Sequence, residues 1–243
     1  MKKYGLIGYP LLHSFSKQFF KKKFLNENID DTTYNNYELS DLNNFKFLIK
    51  KEKELKGLNV TIPYKKKIIP FLDEVDEIAY KIGSVNVIKF YKGKLKGYNS
   101  DYLAFKDTLI DWLPSYNYKA LILGSGGSSN AVVYALKELG IDFKIVSRKS
   151  SYNKISYNDL DYSQIQENRL IVNTTPLGMY PKVELFPNLD FNLINDENYV
   201  YDLIYNPEIT VLQKKAQKKG AKIKNGLEML YKQAEISWKL WNK

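Results

Sequence analysis

At 243 residues the chain is long enough for one large domain or two modest ones. Its apolar fraction is 44% and it has no apolar run near the roughly 20 residues of a membrane span, which excludes an integral helical membrane protein. The lack of cysteine excludes a disulfide framework and any thiolate nucleophile or ligand, and a single histidine, His13, argues against a His-based metal site or a Ser-His-Asp triad, so no metal is expected.

The net charge of +10 would suit a polyanion. Lys, Asn, Ile and Tyr are heavily used throughout, however, and the lysine clusters (Lys21 to Lys23, Lys65 to Lys67, Lys214, Lys215, Lys218 and Lys219) fall mostly on solvated helix faces. An anionic small molecule is the expected partner, not nucleic acid. The opening Met1-Lys2-Lys3 before an apolar stretch has the outline of a secretory signal, but Gly5, Gly8 and Pro10 interrupt it and no small-residue cleavage site follows; a cytoplasmic protein is expected.

In chain order, Tyr4–Gly8 predicts a strand that turns at Pro10, and Ser16–Asn28 a helix. Thr33–Leu39 alternates as a strand, Asp41–Glu54 reads as a helix with Asp41 as N-cap, and Lys56–Thr61 as a strand stopped near Pro63. Ser84–Tyr91 and Lys94–Tyr98 predict a hairpin around Lys92-Gly93, and Asp101–Trp112 a helix ended by Pro114. A short apolar strand, Lys119–Leu123, is followed by the turn Gly124–Ser129, the helix Asn130–Leu139 closed by Gly140, and the strand Asp142–Ser147. Further strands are expected at Leu170–Asn173, Tyr199–Ile204 and Ala221–Lys224, with a last helix over Leu227–Trp241. Alternating strands and helices predict an α/β fold with largely parallel sheets. We divide it into a substrate domain, 1–101 with the returning helix 227–243, and a Rossmann-type domain, 102–226, with a cleft between them.

Gly124-Ser125-Gly126-Gly127-Ser128-Ser129 stands between a strand and a helix, the context a dinucleotide fingerprint requires. Gly124 permits the tight turn, Gly126 lets backbone approach a pyrophosphate, and amides at the helix start hold negative charge. Ser129 stands where the pattern has its third glycine. After the next strand an NAD site places an acid; here the chain reads Ser147-Arg148-Lys149-Ser150, two cations suited to a 2′-phosphate. NADP is therefore the expected cofactor.

Small polar clusters recur where strands end: Ser14-Phe-Ser16, Asn59-Val-Thr61-Ile-Pro-Tyr-Lys65, Ser84-Val-Asn86 and Asn99-Ser-Asp101. Singly, each suits a turn or a cap; together they suit a compact ligand with hydroxyls and a carboxylate. With the glycine turn, Asn173-Thr-Thr-Pro-Leu-Gly178-Met179, Asp202-Leu-Ile-Tyr205-Asn-Pro207 and Gly226-Leu-Glu-Met-Leu-Tyr-Lys-Gln233, these motifs resemble, in order and over nearly the whole chain, the shikimate dehydrogenase family.

The resemblance implies reversible NADPH-dependent reduction of 3-dehydroshikimate to shikimate, a step toward chorismate and the aromatic amino acids, by a monomer or homodimer. It implies that Ser14 and Ser16 bind the substrate carboxylate, that Thr61, Asn86, Asp101 and Gln233 hold ring hydroxyls, and that Tyr205 borders the substrate. Lys65 and Asp101 are the implied catalytic pair, with the proton carrier left open between them. Gly124, Gly126, Gly127 and Ser128 would face the pyrophosphate, Arg148 and Lys149 the 2′-phosphate, and Asn173, Thr174, Met179 and Gly226 would lie near the cofactor. The chain departs from the family pattern at Lys17, Phe19, Phe20, Val87, Ser100, Ser147 and Lys149. Two other readings are a quinate/shikimate enzyme with relaxed cofactor use and a non-catalytic ligand sensor on the same fold.

Overall fold

The computed structural model describes every residue except Leu12, His13, Ser115, Tyr116 and Asn153. The single histidine, His13, thus lies outside the described residues. Two compact units emerge, one formed by Met1–Asp101 with Tyr231–Lys243 and the other by Tyr102–Leu230.

The first unit contains β1 (Lys2–Gly8), α1 (Ser16–Asn26), β2 (Thr32–Glu38), α2 (Phe45–Lys51), β3 (Leu55–Val60), β4 (Glu74–Val75), α3 (Glu77–Ile82), β5 (Val87–Tyr91) and β6 (Lys94–Tyr98). Its sheet runs β2-β1-β3-β5-β6-β4, parallel across β2, β1 and β3, antiparallel from β3 through β5 to β6, and parallel again at β4. Alternation along β1 sorts the side chains: Tyr4 and Leu6 join Phe20, Phe24, Tyr34 and Trp241 in one core, while Ile7 joins Phe45, Leu58, Ile68 and Ile88 in another. The helix expected over 41–54 is divided. Asp41 accepts from the Asn43 amide and caps a 3-10 turn, Leu42–Asn44, before α2 begins at Phe45. Asn43 and Asn44 compete for backbone hydrogen bonds and are poor helix interiors.

The second unit carries α4 (Asp101–Ile110, whose first residue falls to the first unit), β7 (Ala120–Leu123), α5 (Gly127–Glu138), β8 (Phe143–Ser147), β9 (Lys154–Ser156), α6 (Tyr162–Glu167), β10 (Leu170–Asn173), β11 (Tyr199–Asp202), α7 (Val211–Gln217) and β12 (Lys222–Lys224). The final helix, α8 (Leu227–Asn242), starts here and ends in the first unit. The sheet is parallel throughout, in the order β12-β11-β10-β7-β8-β9. Renumbered within the unit and read from the β9 edge this is 3-2-1-4-5-6, the doubly wound Rossmann order, with its reversal between β7 and β10. The central strands β7 and β10 are wholly buried and apolar but for Asn173, as strands covered on both faces must be. Helices α3, α6 and α7, of six or seven residues, escaped the sequence reading because so few turns show little periodicity.

Candidate active site

Chain reversals at the ends of β3 and β6 bring the polar clusters of the first unit together. Lys65 Nζ donates to Asp101 Oδ2 at 2.7 Å, with side chains 15% and 7% exposed. The other carboxylate oxygen of Asp101 accepts from Asn86 Nδ2 at 2.9 Å. The same amide nitrogen donates to Ser100 Oγ at 2.9 Å, and Asn86 Oδ1 accepts the Ser100 backbone N–H at 2.7 Å. Three of the expected site residues, Lys65, Asn86 and Asp101, therefore form one bonded group, and the carboxylate is held at both oxygens.

Of the other expected substrate residues, Ser14, Ser16, Thr61 and Gln233 belong to the first unit. Thr61 is fixed by its N–H to the Ile7 carbonyl, and a Cβ on Gly8 would lie 2.4 Å from its methyl group. Ser16 opens α1 and is half-buried; Ser14 is half-buried too, its N–H on the Leu11 carbonyl. Gln233 is half-buried on α8. Phe20, at one of the departures from the family pattern, is fully buried and stacks on Tyr34 at 4.4 Å; Phe19 stacks on Tyr231. Both substitutions are absorbed by aromatic packing. Tyr205 lies in the second unit after β11, where burial raises its phenol pKa.

In the second unit the glycine turn and the Asn173-Thr174 segment leave β7 and β10 side by side, at the reversal of strand order where open α/β sheets bind ligands. Gly124 has φ +104°, and a Cβ there would press on Thr174 Oγ1 at 2.9 Å, so a side chain is excluded by conformation and by space. Nothing lies within 4 Å of the Cβ position of Gly126, the N-cap of α5, whose helix start has no side-chain cap bond. A helix start without a side-chain cap fits a phosphate. Ser129, at the position of the missing third glycine, is buried and gives its hydroxyl to the Gly124 carbonyl at 2.9 Å, tying the turn to the helix. Arg148 and Lys149 are exposed directly beyond β8. Burial pushes the Tyr157 phenol up to about 12, with the Arg148 charge pulling it back. These residues fit a 2′-phosphorylated dinucleotide. Met179 is partly exposed, and a Cβ on Gly226 would lie 2.0 Å from the Leu203 carbonyl oxygen, so backbone runs on backbone there.

Several contributors have no role assigned by the sequence. Asn59, Ser237 and Tyr34 are buried and bonded into the Asn86 group. The signal for Ser237 was its place four residues after Gln233, on the same face of an amphipathic helix. Asp202 opens the motif that contains Tyr205. It is fully buried and accepts from Asn173 Nδ2, the Ile204 amide and Thr210 Oγ1 at 2.7 Å. Burial pushes its carboxyl up to about 6, against those three donors.

Among the described residues no group of three or more His, Cys, Asp or Glu side chains is placed to hold a metal ion, and no helix is long and apolar enough to cross a membrane. The family model for the shikimate dehydrogenase substrate binding domain matches residues 6–88. A shikimate dehydrogenase (NADP(+)) of Caldicellulosiruptor bescii is 38% identical, over 99% of this chain and 89% of its own length. The crystal structure of shikimate dehydrogenase from Aquifex aeolicus superposes with a TM-score of 0.88 at 34% identity, covering 100% of this chain and 92% of the other. That of the Thermus thermophilus enzyme in complex with NADP(H) and shikimate gives 0.88 at 28%, covering 99% and 93%. With this agreement running from end to end, the chain belongs to the shikimate dehydrogenase family.

Proposed function

We propose that this chain is an NADP-dependent oxidoreductase of the cytoplasm that interconverts 3-dehydroshikimate and shikimate. The observation that carries the reading is the Lys65–Asp101 pair, largely enclosed and bonded by Asn86, in a chain whose other unit presents a helix start without a side-chain cap and two cations beyond β8. A bound nicotinamide dinucleotide supplies or takes the hydride. As hydride reaches the ring carbonyl carbon, charge grows on the oxygen; the Lys65 ammonium stabilises that charge and a proton from the Lys65–Asp101 pair neutralises it. In the oxidative direction the same pair removes the hydroxyl proton. Ser14 and Ser16 hold the carboxylate, Thr61, Asn86 and Gln233 orient the ring hydroxyls, and Tyr205 borders the substrate. Gly124, Gly126, Gly127 and Ser128 receive the pyrophosphate and Arg148 and Lys149 the 2′-phosphate; Asn173, Thr174 and Met179 lie near the cofactor, and Gly226 near the nicotinamide.

Absorbance in the NADPH band, followed with purified protein, shikimate and NADP⁺, tests this directly, with quinate and NAD⁺ in parallel. Reduction with shikimate and NADP⁺ alone is the expected result. Comparable rates with quinate or NAD⁺ would make it the relaxed-specificity enzyme. Folded protein inert in every combination would leave the ligand sensor.

A further inference from the structure

A continuous buried hydrogen-bonded chain runs through the first unit, and its donors and acceptors can be assigned one by one. The Tyr34 hydroxyl donates to Asn59 Oδ1 at 2.9 Å. Asn59 Nδ2 has two hydrogens; one goes to the Asn86 carbonyl at 3.2 Å and the other to Ser237 Oγ at 2.9 Å. Ser237 has a single hydroxyl proton, and it goes to the Gln233 carbonyl at 2.7 Å. Its oxygen is therefore only an acceptor elsewhere, so across the 3.3 Å contact with Ser100 the proton must come from Ser100. Ser100 Oγ, having given its proton away, accepts from Asn86 Nδ2, whose second hydrogen goes to Asp101. Tyr34, Asn59, Asn86, Ser100, Asp101 and Ser237 are all buried, so each unmet donor would carry the full desolvation cost.

We infer that Ser237 is a positioning residue for the catalytic pair: its oxygen collects the protons of Asn59 and Ser100 and so sets the rotamer of Asn86 that holds Asp101 against Lys65. Without it, the Ser100 hydroxyl and one Asn59 N–H lose their buried acceptor. The Ser100 hydroxyl then turns to find another, and Asn86 loses the acceptor that fixes its amide plane. The effect belongs to proton transfer at Lys65–Asp101, since none of these side chains lies in the nucleotide-binding unit. The inference rests on the activity proposed above.

The test is steady-state kinetics with shikimate and NADP⁺ on the full chain and on S237A, S100A, S100T and the double variant S100A/S237A, with melting temperatures recorded alongside. Each alanine variant should lower kcat about tenfold, as small misplacements of reacting groups do, with the KM for NADP⁺ unchanged. The double variant should be no slower than either single one, because both break the same link. S100T, which keeps the hydroxyl, should recover most of what S100A loses; a purely packing role for Ser100 predicts no such rescue. Alanine variants with wild-type kcat, or losses that multiply in the double variant, would overturn the inference. Should S237A not fold, S100A against S100T decides by the same criteria. A wild-type chain without turnover would refute the activity itself and this inference with it; active wild type with equally active variants would refute only the inference.

Discussion

Lys65 and Asp101 show how a residue's meaning depends on its neighbours. A lysine after a proline turn and an aspartate opening a helix are each ordinary. At 2.7 Å, with the carboxylate also pinned by Asn86, they form a unit that can neither rotate freely nor be replaced by solvent. Replacing Lys65 with alanine should leave the circular dichroism spectrum intact and reduce kcat on the order of 10²–10⁴-fold; turnover at the wild-type rate would remove Lys65 from the mechanism. Arg148 is exposed at the end of β8 and carries no packing duty visible in its burial. Arg148→Ala should therefore raise the KM for NADPH about tenfold or more, the worth of a charge-assisted bond to phosphate, and barely change that for NADH. Equal changes for the two cofactors would undo the 2′-phosphate assignment.

At the scale of elements, α8 does more than cover the sheet. Trp241 is buried against Tyr4 and Phe20, with ring centroids 4.8 and 5.5 Å away, and its indole N–H donates to the Ile88 carbonyl at 3.0 Å. A Cβ at Gly57 would lie 2.2 Å from that nitrogen, so β3 carries glycine where the indole lies flat on the strand. Trp241→Ala should lower the unfolding free energy by about 3–5 kcal/mol, through the cavity it leaves and the Ile88 carbonyl it strands. Urea denaturation measures this, and a loss below ~1 kcal/mol would show that the helix end is not anchored there. The same helix carries Ser237, through which it is bonded to Asn59 and Ser100.

For the whole molecule, the buried Asp202, at the end of β11, ties the end of β10 to the start of α7 through Asn173 and Thr210. Its carboxyl is raised from 3.8 to about 6 by burial. The folded state thus binds this proton more tightly than the unfolded one. The favourable contribution is complete below the unfolded pKa near 3.8 and is lost as pH rises through about 6, a change of about 3 kcal/mol for a shift of this size. Relative to Asp202→Asn, the wild type should lose about that much stability between pH 3 and pH 7.5. Parallel stability curves for the two proteins would contradict a raised pKa.

The family motifs, the glycine turn and the cationic stretch at Arg148 were legible because each is local: backbone conformation at Gly124, helix-end electrostatics at Gly127 and the charge sequence after β8 are set by adjacent residues. Local chemistry also placed the hairpin at Lys92-Gly93 and the Asp41 cap. The reversal of strand order between β7 and β10, the convergence of Lys65, Asn86 and Asp101, and the burial of Asp202 were decided only by the fold. So was Ser237, which meets Asn59 across 178 positions of sequence. Such partners are chosen by how sheets and helices pack, and in the sequence a buried serine or asparagine looks the same as an exposed one until packing removes the water around it.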